Sequence, residues 1–425
     1  MLTLWGLFFL LMFLGLPVAL AIGMSGFSFF VFSGSIPLGI GVQQIATASQ
    51  SFPLLAVPFF VLAGHMMNKT GITHRLIACS NVLVSWMAGG LAQVCILLST
   101  LMGGVSGSAV ADAAMEARIL GPDMIRRGYS KGFTCAAIAV GSLISGTIPP
   151  SLGLILYGFV GNVSIGRLFL AGVIPGLLMM VALMTVVWLV ARKRGYHSAT
   201  KELPTRQAVW RAVVDAKWAL LFPLALLFGI RAGIFTPSEI GAFAVVYAVV
   251  VGVFLHKELT FESFMEALGE GVLDVGVIML IILLSGMVGY ALIFEQAPQE
   301  VAEWMLGLSQ NPLAIVILIL VSLLIAGCFV ESTVLVLLLT PIFVPIITKL
   351  GVDPVHFGIL MMSIVTLGSM TPPVGVAMYT VCSILDCSIE EYFVESLPFI
   401  AAILAVVLFL ALFPGVVLFL PNLLM

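Results

Sequence analysis

Four short passages decide the reading: GGVSGSA (103–109), SGTIPPSLG (145–153), AGCFVEST (326–333) and GSMTPPVG (368–375). The chain has two Pro-Pro pairs, Pro149-Pro150 and Pro372-Pro373, set 223 residues apart. The same shift carries Gly104 onto Gly327, Ser108 onto Glu331 and Pro122 onto Pro345. Self-similarity at a fixed offset marks a duplicated unit. Each unit reads as five crossings plus one hairpin. An odd number of crossings sends the second copy into the membrane from the opposite face, which is an inverted repeat.

The hairpins follow from length. Ser108 to Leu120 is about a dozen residues, or roughly 18 Å of helix. That falls well short of a hydrocarbon core of about 30 Å. Residues 79–120 are therefore expected as a re-entrant hairpin whose tip is at Gly103, Gly104 and Gly107. Residues 310–348 are its counterpart, with Gly327 and Cys328 at the tip. The spans that follow, near 132–160 and 354–385, are each interrupted by a Pro-Pro pair. Proline removes an amide donor and clashes with the preceding turn. Carbonyls freed at membrane depth are tolerated only inside protein or beside a polar cavity. With Ser and Thr hydroxyls they form a hard-oxygen cage suited to a small cation such as sodium. Half-helix N-termini present amides and a positive dipole end, which suit a carboxylate.

Composition supports this frame. Apolar residues make up 61% of the 425 and charged residues 9%, against roughly 25% charged in a soluble protein. Mean hydropathy is +1.23. These values exclude a soluble fold, a disordered or collagenous chain and a nucleic-acid binder, leaving an all-α integral membrane protein. The net charge of −3 supplies no field for an anionic partner. The first twenty residues lack a basic n-region and an A-x-A site, so they read as a first span, near 3–21. The six cysteines show no metal-ligand spacing and read as packing residues. There is no P-loop, H-E-x-x-H or G-x-S-x-G, so no enzyme is expected.

Seven basic residues (Arg192, Lys193, Arg194, Lys201, Arg206, Arg211 and Lys217) crowd the central loop. The positive-inside rule makes that loop cytoplasmic. The chain then divides into a first repeat (1–195), a linker (196–217) with an interfacial helix bearing Trp210, and a second repeat (218–425).

The text at these positions resembles the large membrane subunit of TRAP transporters, the tripartite ATP-independent periplasmic family. The resemblance rests on PLLAVPFFVLAGHMMNKTGITHRLI (53–77), GGLAQV (89–94), SGSAVADAA (106–114), GYSKGFTCAA (128–137), TIPPS (147–151), TPSEIGAFAVVYA (236–248), GVDPVHFGIL (351–360) and TPPVGVAMY (371–379). The chain departs from the family at Val330-Glu331, where Met-Asp is usual, and at Glu116, where a small or apolar residue is expected. The resemblance implies import of a small carboxylate, such as a dicarboxylate, sugar acid or sialic acid, across a bacterial inner membrane. A sodium gradient would drive it by an elevator movement of a hairpin-bearing core against a scaffold. It implies two partners, a periplasmic substrate-binding protein and a small four-helix membrane subunit. Because the chain begins with large-subunit text, that small subunit is expected as a separate polypeptide. The alternative is a standalone sodium/anion symporter that needs no binding protein.

These expectations place one sodium site at Ser106 and Ser108 with Gly146, Ile148 and Pro150. A second uses Gly327, Cys328, Gly368 and Thr371. Most of these ligands are backbone carbonyls. The substrate is expected between the tips, near Ser108, Asp112, Ser145, Thr147, Glu331, Ser332, Thr333 and Thr371. No cofactor beyond the coupling ions is expected.

Overall fold

Backbone groups in hydrocarbon must be satisfied internally, and this chain does so with helices. The computed structural model describes residues 2–33, 36–198 and 203–425, with no strand among them. Lys201 of the basic loop lies outside the described residues. Helices α1 (Leu2–Phe13), α2 (Val18–Ser33), α3 (Leu38–Ser49), α4 (Ala56–Lys69) and α5 (Ile72–Val84) come first. The span expected near 3–21 is broken, because Gly15 adopts φ +85° and Pro17 lacks an amide to continue the helix.

The first hairpin is α6 (Gly90–Gly103) and α7 (Ala109–Ile119), followed by the short α8 (Gly121–Arg126). Its entering arm starts at Gly90 rather than near 79. Residues 79–84 belong to α5, and Gly89 at φ +75° sets α6 apart from it. The first broken span is α9 (Lys131–Gly141), α10 (Leu143–Thr147) and α11 (Leu152–Val160), bent by 45°. Then α12 (Ile165–Arg194) runs 30 residues, about 45 Å. Ser164 caps its first turn, Gly195 at φ +71° ends it, and Arg192, Lys193 and Arg194 complement its C-terminal dipole.

Helix α13 (Arg206–Asp215) buries no residue, exposes 69% of Trp210, and lies at 63° to α14 (Lys217–Arg231). Helix α15 (Pro237–Val250), with a π turn at Val251–Leu255, and the 34-residue α16 (Phe261–Phe294) follow. Next is α17 (Ala297–Leu308), which the sequence reading did not anticipate. The second hairpin is α18 (Pro312–Gly327) and α19 (Ser332–Lys349), and its broken span is α20 (Pro354–Gly368) and α21 (Val376–Leu385). The chain closes with α22 (Ile389–Leu412) and α23 (Pro414–Leu424).

The 223-residue shift lays α5 on α17, α6 on α18, α7 on the start of α19, α9 with α10 on α20, α11 on α21, and α12 on α22. The unanticipated α17 is thus the counterpart of α5. Packing is reciprocal across the repeats. The second half of each broken span lies against the exit arm of the other repeat's hairpin, α11 on α19 and α21 on α7.

Helix α12 also orients the hairpins. Just past its C-terminal end, Tyr196 holds both legs of the first: its carbonyl accepts from the Gly89 amide at 3.2 Å, and its hydroxyl accepts from the Ser130 amide at 3.2 Å. At the other end of α12, Arg167 bonds Asn422 at 3.2 Å and lies 3.9 Å from Asp353, just after the second hairpin. Tyr157 donates to the Pro354 carbonyl at 2.7 Å nearby. The two hairpins therefore open toward opposite ends of α12. Among the described residues, five helical segments are long and apolar enough to cross a membrane, and bent pairs bring this to as many as eight. Exposed Leu224, Phe228, Phe254, Val272, Leu273 and Val277 give the outside a lipid-compatible surface.

Candidate functional site

Each proline pair deprives the carbonyls four residues earlier of their helical donors. Those at risk are Ser145 and Gly146 in the first span and Gly368 and Ser369 in the second. The Gly146 carbonyl accepts from the Ser151 hydroxyl at 2.6 Å. The Gly368 carbonyl accepts from the Thr371 amide at 2.9 Å, and the Ser369 carbonyl from the Ala377 amide at 2.9 Å. Both pairs contain a cis peptide bond, Pro149-Pro150 and Pro372-Pro373.

The tips lock onto these breaks. At the first, Gly107 has φ +65°, and a Cβ there would stand 2.1 Å from the Pro150 carbonyl oxygen. The Leu152 amide donates to the Gly107 carbonyl at 3.4 Å. At the second, the Cys328 carbonyl accepts from the Gly375 amide at 2.9 Å and the Val374 amide at 3.2 Å. Gly327 and Gly368 meet backbone to backbone. In both repeats, an amide just beyond the prolines reaches a tip carbonyl.

A crevice of about 40 Å³ separates the tips, lined by Ser108, Gly146, Ser151, Glu331, Ser332, Thr333, Met362 and Thr366 among others. Three helix N-termini converge there. Ser108 caps α7, Ser151 caps α11, and Glu331 caps α19. Glu331 accepts from the Thr333 amide at 2.8 Å and the Val334 amide at 3.3 Å, and from the hydroxyls of Ser332 and Thr333 at 2.9 Å each. Its charge therefore already occupies the α19 terminus. The positive end with no acidic residue in its first turn is that of α11; α7 carries Asp112 there, turned back to Ser106. In this conformation the crevice has room for a few waters, so an organic acid requires the tips to part. A larger cavity of about 660 Å³ lies away from the tips, at the Arg167 end of α12, among Ser51, Asn162, Ser164 and Thr236.

Of the eight expected substrate residues, Ser108, Glu331, Ser332 and Thr333 line the crevice. The other four are turned elsewhere. Asp112 is 2% exposed, and both its oxygens lie 2.6 Å from the Ser106 hydroxyl, so it braces the tip from behind. Ser145 bonds back to the Ser142 carbonyl at 2.7 Å. Thr147 bonds the Leu143 carbonyl at 3.4 Å, and its own carbonyl faces Gly172 of α12. Thr371 bonds the Leu367 carbonyl at 2.8 Å. Hydroxyls mid-helix commonly bond back this way, and the sequence spacing does not show it. Ser151, Met362 and Thr366 were missed. Ser151 directly follows Pro150, so its capping position was legible; Thr366 reaches the crevice only through packing of the two repeats.

The sodium candidates fall into two groups. Ser106, Ser108, Gly146, Ile148 and Pro150 gather where the first tip meets its break, with Ile148 and Ser145 against Gly103. Gly327, Cys328 and Gly368 gather in the second repeat, with Thr371 bound to Gly368. The carbonyls of Gly146 and Gly368 each accept one hydrogen bond and keep a second lone pair for a cation, whereas the Cys328 carbonyl accepts two and has none to spare. Glu116, where the family pattern expects a small or apolar residue, is fully buried and accepts from Ser99 at 2.8 Å.

The family pattern described as tripartite ATP-independent periplasmic transporter, DctM component, matches residues 5–416. The chain is 36% identical over 417 residues to the isethionate TRAP transporter permease protein DctMQ of Oleidesulfovibrio alaskensis, covering 98% of this chain and 66% of that one. It therefore spans about two thirds of that relative. It is 37% identical to the sialic acid TRAP transporter large permease protein SiaM of Vibrio cholerae, covering 97% and 96%. The C4-dicarboxylate permease DctM of Rhodobacter capsulatus is 31% identical, covering 100% and 99%. Among solved structures, the Alcanivorax borkumensis YdaH transporter aligns with a TM-score of 0.63 at 13% identity, covering 88% of this chain and 87% of that one. MtrF of Neisseria gonorrhoeae aligns with a TM-score of 0.56 at 11% identity, covering 88% and 83%. These two structures share the fold, whereas the sequence matches and the paired hairpins go further: the chain is a multi-pass membrane protein and belongs to the family of TRAP transporter large permease subunits, the DctM component.

Proposed function

We propose that this chain is the transporting subunit of a sodium-gradient-driven importer of a small organic acid, and not an enzyme. The observation that carries the reading is the convergence of two oppositely entering hairpin tips on one crevice with three helix N-termini. The N-termini of α11 and α7 receive the acid group. Glu331, with its charge held in place, faces the hydroxyl or ammonium end of the substrate or a coupling cation. Sodium ions sit where each tip meets its broken span. A periplasmic binding protein delivers the acid, and a small membrane subunit braces the scaffold. The protein lies in a bacterial inner membrane, with the basic loop 192–217 in the cytoplasm. Movement is of the elevator type. The hairpins and broken spans are knitted by backbone contacts at Gly107, Gly327 and Gly368, whereas α1–α4, α15 and α16 pack chiefly on one another.

Named relatives carry isethionate, sialic acid, 2,3-diketo-L-gulonate and C4-dicarboxylates. These are the first acids to test. In proteoliposomes holding this chain and its small subunit, with binding protein outside, one of them should accumulate only when external sodium exceeds internal sodium. Undiminished uptake with sodium replaced by choline would refute the coupling. Uptake that persists without the binding protein would favour a standalone symporter.

A further inference from the structure

Three of the six cysteines, scattered as they are in sequence, meet in space. Cys135 of α9, Cys382 of α21 and Cys387 just beyond α21 bring their sulfur atoms to within 4.8 Å of one another. Local structure builds the cluster. Asp386 adopts a left-handed φ of +51°, which ends α21 and folds the next residue back, so the Cys387 amide donates to the Cys382 carbonyl at 3.0 Å. Helix α9 packs against α21 and brings Cys135 to the pair. Glu391 stands beside it, one oxygen 3.9 Å from the Cys387 sulfur and the other held by the Gly132 amide at 2.8 Å. The cluster joins the two repeats, and the 223-residue shift carries none of the three cysteines onto another, so it is not a by-product of duplication.

We propose that this cluster is a binding site for a sulfur-seeking cation of the Zn²⁺ class, with three thiolates as ligands and Glu391 as the adjacent carboxylate. A metal–sulfur distance of about 2.3 Å places tetrahedral sulfur ligands about 3.8 Å apart, so closure requires each pair to move by no more than about 1 Å. Thiolate sets select Zn²⁺ and Cu⁺ over the hard cations that suit the carbonyl-lined tips. Cys135 and Cys382 are buried, Cys387 is half-buried, and the Asp386 side chain beside it is fully exposed, which leaves an entry for the ion. Binding exchanges up to three thiol protons for one divalent cation. Lys131, one turn before Cys135 and bonded to the Asp386 carbonyl at 2.8 Å, offsets the negative charge that results. The bound ion staples the first broken span to the end of the second, at the end of the fold where Arg194 bonds Glu395.

The test uses the reduced, purified full-length chain titrated with Cd²⁺, whose thiolate complexes absorb in the ultraviolet. One Cd²⁺ per chain should bind with a thiolate charge-transfer band and release of protons. Cys387→Ser should weaken binding by about tenfold or more, whereas Cys79→Ser should leave it unchanged. In the unaltered chain, Cd²⁺ should also slow maleimide labelling of Cys387, a readout that needs no variant to fold. Absence of the band, or Cys387 labelling at full rate under saturating Cd²⁺, would overturn the proposal, since thiols packed without a ligand role predict both.

Discussion

Replacing Gly107 by alanine should reduce uptake by about two orders of magnitude while leaving the protein inserted and folded. Two penalties coincide at this residue. Its φ of +65° costs an L-residue about 1–2 kcal/mol. The new Cβ would also stand 2.1 Å from the Pro150 carbonyl oxygen and 3.3 Å from Ser151 Cα. Both neighbours are backbone, so neither can rotate away. The tip must lift from the broken span by about 1 Å, a displacement that can cost about 10²-fold where geometry controls the chemistry. The Pro150 carbonyl and the Ser108 cap would separate, and with them the proposed first ion seat and the α7 N-terminus. Uptake and sodium affinity in proteoliposomes, with size-exclusion behaviour as the folding control, check the expectation. Gly128→Ala is the comparison, because it has a positive φ of +90° but nothing within 4 Å. If the two variants transport alike, the tip contact is not functional.

The second large effect is expected at Gly368. A Cβ there would lie 2.5 Å from Gly327 Cα and 2.6 Å from its carbonyl carbon, forcing α18 and α20 apart. The reciprocal change is gentler, since a Cβ on Gly327 would meet Gly368 Cα and the Val365 carbonyl at 3.0 Å. Helices in lipid associate through such small-residue approaches, and overpacking costs about 1–3 kcal/mol. Gly368→Ala should therefore lower both thermal stability and transport, and Gly327→Ala should lower them less. Unfolding temperature in detergent and initial uptake rate measure the order. A reversed order would mean that the helices separate along a different path.

The contrast between these sites and others shows what the sequence carries. The proline doublets and the glycines before them were legible because each breaks a helix by a local mechanism, and their spacing gave the repeat. The short α7 was legible because 11 residues cannot cross a bilayer. The break at Gly15 and Pro17 carried the same kind of signal but lay within an apolar run long enough for a span. Helix α17 was missed because its charged residues, Glu300 and Glu303, interrupt the apolar pattern; the repeat offset from α5 would have found it. At the site, sequence placed residues near the breaks without their rotation. Asp112 and Ser108 share a helix, yet Asp112 turns back to Ser106 while Ser108 caps the crevice. Thr366 and the three converging cysteines depend on contacts between repeats more than 200 residues apart, which no local pattern encodes.

The central claim is that one acid binds between the two tips, with sodium seated where each tip meets its broken span. Cysteines placed at Val110 and, separately, at Ser332 report on the two sides of the crevice, in a chain where Cys328 and Cys387 are alanine. With sodium and the transported acid together, maleimide labelling at both positions should slow by about tenfold or more, as expected when a bound ligand closes the mobile elements over a site. A cysteine at Asn162, in the larger cavity away from the tips, should label at an unchanged rate. Labelling at full speed at both tip positions, under conditions where the acid is transported, would contradict the account.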